Sequence, residues 1–470
     1  MNAMTADTTC KFFAPDGRTL VVDFTAGGEV TEEGGGVAAG YTGINDNEFK
    51  RTCGLTIASV DQAKDIGQWA CLMNEQKPTY WHKGSFNLLT ATEGFVKDIR
   101  LPRHLEPTIY SLDLIPFFEE RNFEVDGGVR IILKHGASVT VDNEYRRRIA
   151  MNIKDIVIHE NLTEVLTFRD QNTIIGHEYD LEREMYIIHV GEDLYADDTT
   201  TYHMVRLTFT SYLNDGLNGF YRSYYVDEEN EVHTIAVTQF EKSSARKAFP
   251  CLDDPDIKSR FQVRLGHKDT MTATSNMDIV SKLFIPELED YVYDRFTITP
   301  TMSSYLLAFM VSDLVNTTTS NENFNIIHQA GKEEQAMIAA AAGPAILSYF
   351  EDYFQIPYYL KKMDMASIPD FSAGAMENWG LIKYRESSLL HDPYTSNQAD
   401  RDRVVEVIAH ELAHNWFGNL VTLEWWTDLW LNEGKILCPL IISALFHQLF
   451  EFQDLPLTMN PMARISTMLN

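Results

Sequence analysis

His410, Glu411 and His414 are the residues whose types and spacing could do chemistry together. They sit in Arg403-Val-Val-Glu-Val-Ile-Ala-His-Glu-Leu-Ala-His-Asn-Trp-Phe417, whose apolar residues recur at helical spacing. Histidines at i and i+4 stand one turn apart on the same helix face, so both imidazoles can reach one metal ion. Glu411, next to the first, can then take a proton from a metal-activated water. Two histidines leave a catalytic zinc one protein ligand short, and the chain has to supply the third.

Three downstream carboxylates are candidates: Glu424, Asp428 and Glu433. Glu424 falls in a strand-like or loop segment. Asp428 opens the next helix, where an N-cap role is the plainer explanation. Glu433 lies later in that helix, beyond Leu429 and Trp430, and a helix running back beside the first would bring it over both histidines. It stands 19 positions after His414, the spacing of zinc peptidases of the His-Glu-x-x-His, distant-Glu type. Upstream, Gly374-Ala-Met-Glu-Asn-Trp-Gly380 reads either as an ordinary turn or as a loop whose Glu377 holds the ammonium of a peptide N-terminus.

These residues need a scaffold, and 470 residues exceed one core, so two to four domains are expected. The composition is 44% hydrophobic and 11% aromatic, that of a globular chain. A net charge of −29 argues against nucleic acid as a partner and is compatible with drawing cationic ligands to an acidic cleft. The most apolar stretch, residues 436–450, contains Pro439, His447 and Gln448 and is too short to span a bilayer. Met1-Asn-Ala-Met-Thr-Ala-Asp shows no basic n-region or apolar h-region, so no signal peptide is read from it.

Residues 1–97 read as short β-runs separated by Gly and Thr clusters, and Asp65-Ile-Gly-Gln-Trp-Ala-Cys71 resembles the turn into the second cysteine strand of an immunoglobulin-like domain. That resemblance makes Cys10 the natural inter-sheet disulfide partner of Cys71, with Cys53 competing. The alternative is a small β-rich extension with reduced thiols.

Residues 98–312 alternate in strands over 128–133, 138–141, 185–189, 203–209 and 234–240, with turns at Asp126-Gly-Gly128 and Asn214-Asp-Gly216. This predicts a large antiparallel β saddle or sandwich. Gly219-Phe-Tyr-Arg-Ser223 and Thr238-Gln-Phe-Glu241 interrupt the alternation, and Arg246, Asp253 and Asp254 read most simply as loop ion pairs. Helical text begins near 333–342.

Gly374-Ala-Met-Glu-Asn, with His-Glu-x-x-His followed at the right distance by Glu433, resembles the M1 family of zinc aminopeptidases, the aminopeptidase N group. The likeness runs from about Arg100 to Gly434 and includes Leu101-Pro-Arg-His-Leu, Ala248-Phe-Pro-Cys and Tyr305-Leu-Leu-Ala-Phe. It implies a multidomain α+β protein: an immunoglobulin-like module over 1–97, the family's β domain over 98–312, an incomplete, mostly α, thermolysin-like zinc domain over 313–434, and a divergent tail over 435–470. It also implies one zinc on His410, His414 and Glu433, with Glu411 as general base. The free α-amine of a peptide substrate would be bound by Glu377 and Gln239, with Gly374, Ala375, Met376 and Asn378 completing the substrate-binding segment. An extracellular or plasma-membrane-associated setting is implied, with the cytoplasm left open. Sequons at Asn161 and Asn316 would then be glycosylation sites.

The tail departs from the family pattern, because Asn432-Glu-Gly is followed by Lys435-Ile-Leu-Cys-Pro rather than Phe-Ala-Ser-Tyr. Residues 435–470 contain no tyrosine, where the family places its oxyanion donor, and Pro439 would interrupt the helix carrying Glu433. Weak aminopeptidase activity is therefore expected. The alternative is a catalytically impaired, zinc-binding relative that captures peptide N-termini.

Overall fold

A computed structural model describes residues 99–136, 145–167, 171–195 and 202–436, together with the backbone of short strands between Thr9 and Met73. The expected strand at 138–141 and the tail from 437 onward lie outside the described residues. The chain divides into two compact units, Met1–Lys97 and Asp98–Asn470.

In the first unit, four of the strands order around Thr9–Phe13, which pairs with both Thr19–Asp23 and Ala70–Met73. A separate hairpin joins Tyr41–Asn45 to Cys53–Ile57. Cys10 stands in register with Met73, and Phe12 with Cys71, so both cysteines lie on neighbouring strands of one sheet. Their side chains, and hence the disulfide reading, lie outside the described residues.

The second unit starts with a nine-stranded sheet in which Leu105–Pro116, Glu124–His135 and Tyr202–Tyr212 form a long antiparallel meander. Alternation does the work here: Tyr110, Leu112, Val129, Ile131, Val205 and Leu207 point inward, and polar neighbours face water. The sheet is not wholly antiparallel as expected, because Arg260–Lys268 runs parallel to Leu105–Pro116. The two strands are separated by more than a hundred residues, long enough for the crossover that parallel pairing requires.

Gly219–Val226, expected to break the pattern, is instead a strand of a four-stranded sheet, paired along its length with Val232–Gln239. Its aromatic residues are buried on both faces near the start, so two-residue polarity alternation is lost although the strand is intact. Arg246 and Asp253 form a buried ion pair at 3.0 Å, and Ser304 donates to the same carboxyl at 2.7 Å. Asp254 meets Arg103 at 3.0 Å. The structural reading of these three loop residues therefore holds.

From Val315 the chain builds a five-stranded sheet with a parallel centre, Phe324–His328, Met363–Ile368 and Leu381–Arg385. Two helices, Met337–Phe354 and Gln398–Ala413, cover it through Ile346, Phe350, Val404, Ile408 and Leu412. The region expected to be mostly helical thus opens as a sheet with helices packed on it. The short strand Ala375–Met376 is its edge, antiparallel to Leu381–Arg385.

Candidate metal centre and amine pocket

The helix Gln398–Ala413 begins with a capping box. Asn397 accepts from Ala399 N at 2.8 Å and Asp400 N at 3.2 Å, while Asp400 accepts from Asn397 N at 2.8 Å. The buried stripe of Val404, Val405, Ile408 and Leu412 fixes its rotation, which leaves His410 and His414 on the opposite edge. Their Nε2 atoms lie 3.1 Å apart. His414 Nδ1 is 3.0 Å from the Phe417 carbonyl; a proton on Nδ1 donated there leaves the Nε2 lone pair for a ligand. Burial holds the His414 imidazole down at about 4, with the neighbouring His410 adding to the effect, so it is neutral and able to ligate at pH 7.

Beyond His414 the chain reverses through Gly418, whose φ of +125° suits glycine, and Gly418 N donates to Val421 O at 2.7 Å. The returning helix Trp430–Ile436 brings Glu433 Oε2 to 3.3 Å from His410 Nε2 and 3.7 Å from His414 Nε2. Glu433 is anchored by its neighbour: Asn432 Nδ2 donates to the Tyr305 hydroxyl at 3.3 Å, and Asn432 Oδ1 accepts from Leu423 N at 3.3 Å. Of the other two carboxylates, Glu424 is 77% exposed and faces Arg100 at 3.7 Å, and Asp428 belongs to a 3-10 turn before the helix.

His410, His414 and Glu433 offer three ligand atoms within 4.8 Å of one another. A second cluster, of Glu377, Glu411 and His414, meets the same limit, so the general-base candidate and the amine candidate both border the metal cluster. Two imidazoles and a carboxylate are a donor set of the kind that could hold a metal ion and leave a position open. Burial pulls Glu433 upward, but its bond to His410 and the charges of both histidines outweigh that and hold the carboxyl below its ordinary range.

Glu377 follows the edge strand Ala375–Met376. Asn419 Nδ2 ties down its backbone carbonyl at 2.9 Å. Arg385 N donates to Gly374 O at 3.0 Å, fixing the inner side of the strand and leaving its outer side as the rim of the sheet. Burial raises the Glu377 carboxyl to about 7, against which its backbone hydrogen bond acts. Glu411 is pushed well up by burial first and then by Glu377, Glu433 and Glu241. Two buried acceptors of this cluster, Glu377 Oε1 and Glu411 Oε2, have no donor among the described residues, and the same holds for Gln239 Oε1 at the end of its strand. Leaving such atoms unmet is costly unless a ligand brings the donors.

Two of the expected substrate-binding residues have side-chain partners inside the protein. The Met376 side chain packs in the core, and Asn378 Nδ2 donates to the Tyr305 carbonyl at 3.3 Å, so both brace the loop from behind. Two pocket residues were missed. Glu241, two positions after Gln239, is raised to about 8 by burial and by the charges of Glu377 and Glu433. Its only signal was its place just beyond the strand end that carries Gln239. Lys383 is fully buried, donates to the Thr238 carbonyl, and is lowered to about 7 by burial, with Glu377 acting in the opposite direction. A single lysine in an apolar strand carried no signal. Asn161 and Asn316 are both exposed.

Residues 106–306 match the Peptidase M1 N-terminal domain, and residues 338–443 match the Peptidase family M1 domain. The second match runs past Gly434, where the resemblance was expected to stop. The chain is 34% identical over 368 residues to endoplasmic reticulum aminopeptidase 1 of Mus musculus, covering 77% of this chain and 38% of that protein. Endoplasmic reticulum aminopeptidase 2 of Homo sapiens is 37% identical over 381 residues, 79% and 38% of the two chains. Glutamyl aminopeptidase of Rattus norvegicus is 34% identical over 348 residues, 72% and 35% of the two. The chain therefore spans little more than a third of the length of these curated relatives.

Proposed function

The chain belongs to peptidase family M1, and from that premise we propose that its site is a zinc aminopeptidase centre removing N-terminal residues from peptides. The observation that carries the reading is the pair of overlapping clusters: a His410–His414–Glu433 ligand set sharing His414 with the buried carboxyls Glu377 and Glu411. Zinc bound there would polarise the scissile carbonyl and acidify the attacking water. Glu411, buried and without a donor on Oε2, takes the proton and returns it to the leaving amine. Its raised affinity for protons suits a base that must later act as an acid.

Glu377, Gln239 and Glu241 present acceptors to an α-ammonium. A buried ammonium needs paired charge, so this pocket selects free N-termini over internal peptide segments. The rim of Gly374 and Ala375 accepts the substrate backbone as an added strand. Residues 313–434 then act as a thermolysin-like catalytic domain. Two relatives named as endoplasmic reticulum enzymes support a secretory-route setting; among the described residues no helix is long and apolar enough to cross a membrane.

The test is turnover of an aminoacyl chromogenic amide against its N-acetylated form, with zinc content measured alongside. We expect stoichiometric zinc, turnover of the free amine only, and loss of that turnover in Glu411→Ala with zinc retained. Zinc without turnover would leave the peptide-capturing reading standing. Failure to hold zinc would remove Glu433 as a ligand.

A further inference from the structure

The exposed face of the nine-stranded sheet carries a cleft of about 220 Å³ on strands that hold none of the zinc-site residues. Its polar lining is Ser111, Asp113, Arg130, Gln262, Arg264 and Arg295. Strand register explains why they converge. Arg130 stands opposite Ser111, Ser111 opposite Gln262, Arg264 opposite both Asp113 and Arg295. Residues in one row across neighbouring strands on one face are cross-strand neighbours.

Three guanidinium groups therefore face one carboxylate, an excess of two positive charges in a chain whose net charge is −29. Asp113 is engaged by Arg264 through a short charged bond, whereas Arg130 approaches it only to 3.7 Å. Further along the row, Arg206 is neutralised by Glu164 at 2.8 Å and adds no free charge. The Gln262 amide, oriented with its oxygen toward Arg295, accepts from Nε at 3.2 Å and Nη2 at 2.9 Å. The lining is thus rich in donors, and its two strong acceptors, Asp113 and the Gln262 oxygen, are each engaged by an arginine. Arg264 is also held against the Tyr293 ring at 5.1 Å, which limits its freedom before any ligand arrives.

We propose that this cleft binds a tetrahedral oxyanion, a sulfate or phosphate monoester, between Arg130 and Arg295 over the Ser111 hydroxyl. Planar guanidinium groups match the oxygen spacing of such anions: Arg130 can offer a fork, and Arg295, whose Nε and Nη2 already donate to Gln262, offers its remaining N–H groups from the other side. The volume exceeds that of the anion alone, leaving room for the sugar or alcohol that bears it.

The test is titration calorimetry of the whole chain with sodium sulfate, referenced to sodium chloride at equal ionic strength, and then with a sulfated disaccharide. Saturable sulfate binding in the millimolar range is expected, weakened at least tenfold in Arg130→Gln/Arg295→Gln. A disaccharide binding at least tenfold tighter than sulfate assigns the site to a sulfated glycan; equal affinities assign it to the free ion. Arg130→Lys/Arg295→Lys keeps the charge but loses the forks, and should fall between the wild type and the glutamine variant. Both replaced arginines are on the exposed sheet face, so unchanged thermal unfolding in chloride is expected for either variant. Heat no larger than that of chloride, or equal binding in the wild type and the glutamine variant, overturns the proposal.

Discussion

Asn432 and Tyr305 are joined by a side-chain hydrogen bond of 3.3 Å across 127 residues of sequence, and Asn432 immediately precedes the zinc-ligand candidate Glu433. The Tyr305 hydroxyl in turn donates to Gly418 O at 3.2 Å, in the turn that follows His414. One buried tyrosine therefore braces both arms of the ligand set. Asn432→Ala is expected to weaken zinc about 10–100-fold, the usual scale for losing a residue that orients a ligand. Competition with a chromophoric chelator measures this, and unchanged affinity would remove Asn432 from that role.

Glu377→Gln keeps the shape of the amine pocket and removes one charge. A charge-assisted hydrogen bond contributes about 1.5–3 kcal/mol, or roughly 10–150-fold in kcat/KM. The loss should fall on free-amine substrates and shrink their advantage over N-acetylated ones. Equal losses on both would mean that Glu377 does not read the ammonium.

Gly380 closes the loop that carries Glu377. Its φ is +85°, and a Cβ there would lie 2.3 Å from the Asn276 carbonyl oxygen, a backbone atom with no easy way to retreat. Gly380→Ala is expected to destabilise the second unit by more than about 2 kcal/mol through strain and displacement of that loop. Chemical denaturation would show it as a lower midpoint with an unchanged slope.

His203 contributes to the acid limb of stability. Burial lowers its imidazole to about 4, helped by His135, whose Nε2 lies 3.0 Å away. In the unfolded chain the ring returns to its ordinary value near 6.5 and takes up a proton first as pH falls. Its contribution is therefore complete above about pH 6.5 and is lost as pH falls toward 4. His203→Gln should flatten the decline of the thermal midpoint across that window relative to the parent. Parallel curves for parent and variant would exclude His203 as the source.

Much of the candidate site was legible because its signals are local. His410, Glu411 and His414 depend only on helical period, and the helix is set by its capping box and apolar stripe within sixteen residues. The β-run text likewise located two of the three meander strands, Glu124–His135 and Tyr202–Tyr212, since alternation reports which face is buried. Gly219–Val226 escaped for the same reason: buried on both sides, its early residues have no alternation to show.

The sequence by itself determined the candidate ligands and their order, with Glu433 singled out by its distance from His414, and the family the chain belongs to. It could not show why Glu433, rather than Glu424 or Asp428, comes to face the histidines. That depends on the reversal at Gly418 and on Tyr305, a residue of another segment brought near by burial of the core. Nor could it show Glu241 and Lys383 beside Glu377, or three arginines gathered from two adjacent rows of one sheet face, because these are neighbours only through sheet register and cross-sheet packing. Chemistry that rests on helical period is written locally in the chain. Chemistry that rests on the electrostatics of a shared buried space exists only once distant strands exclude water around it.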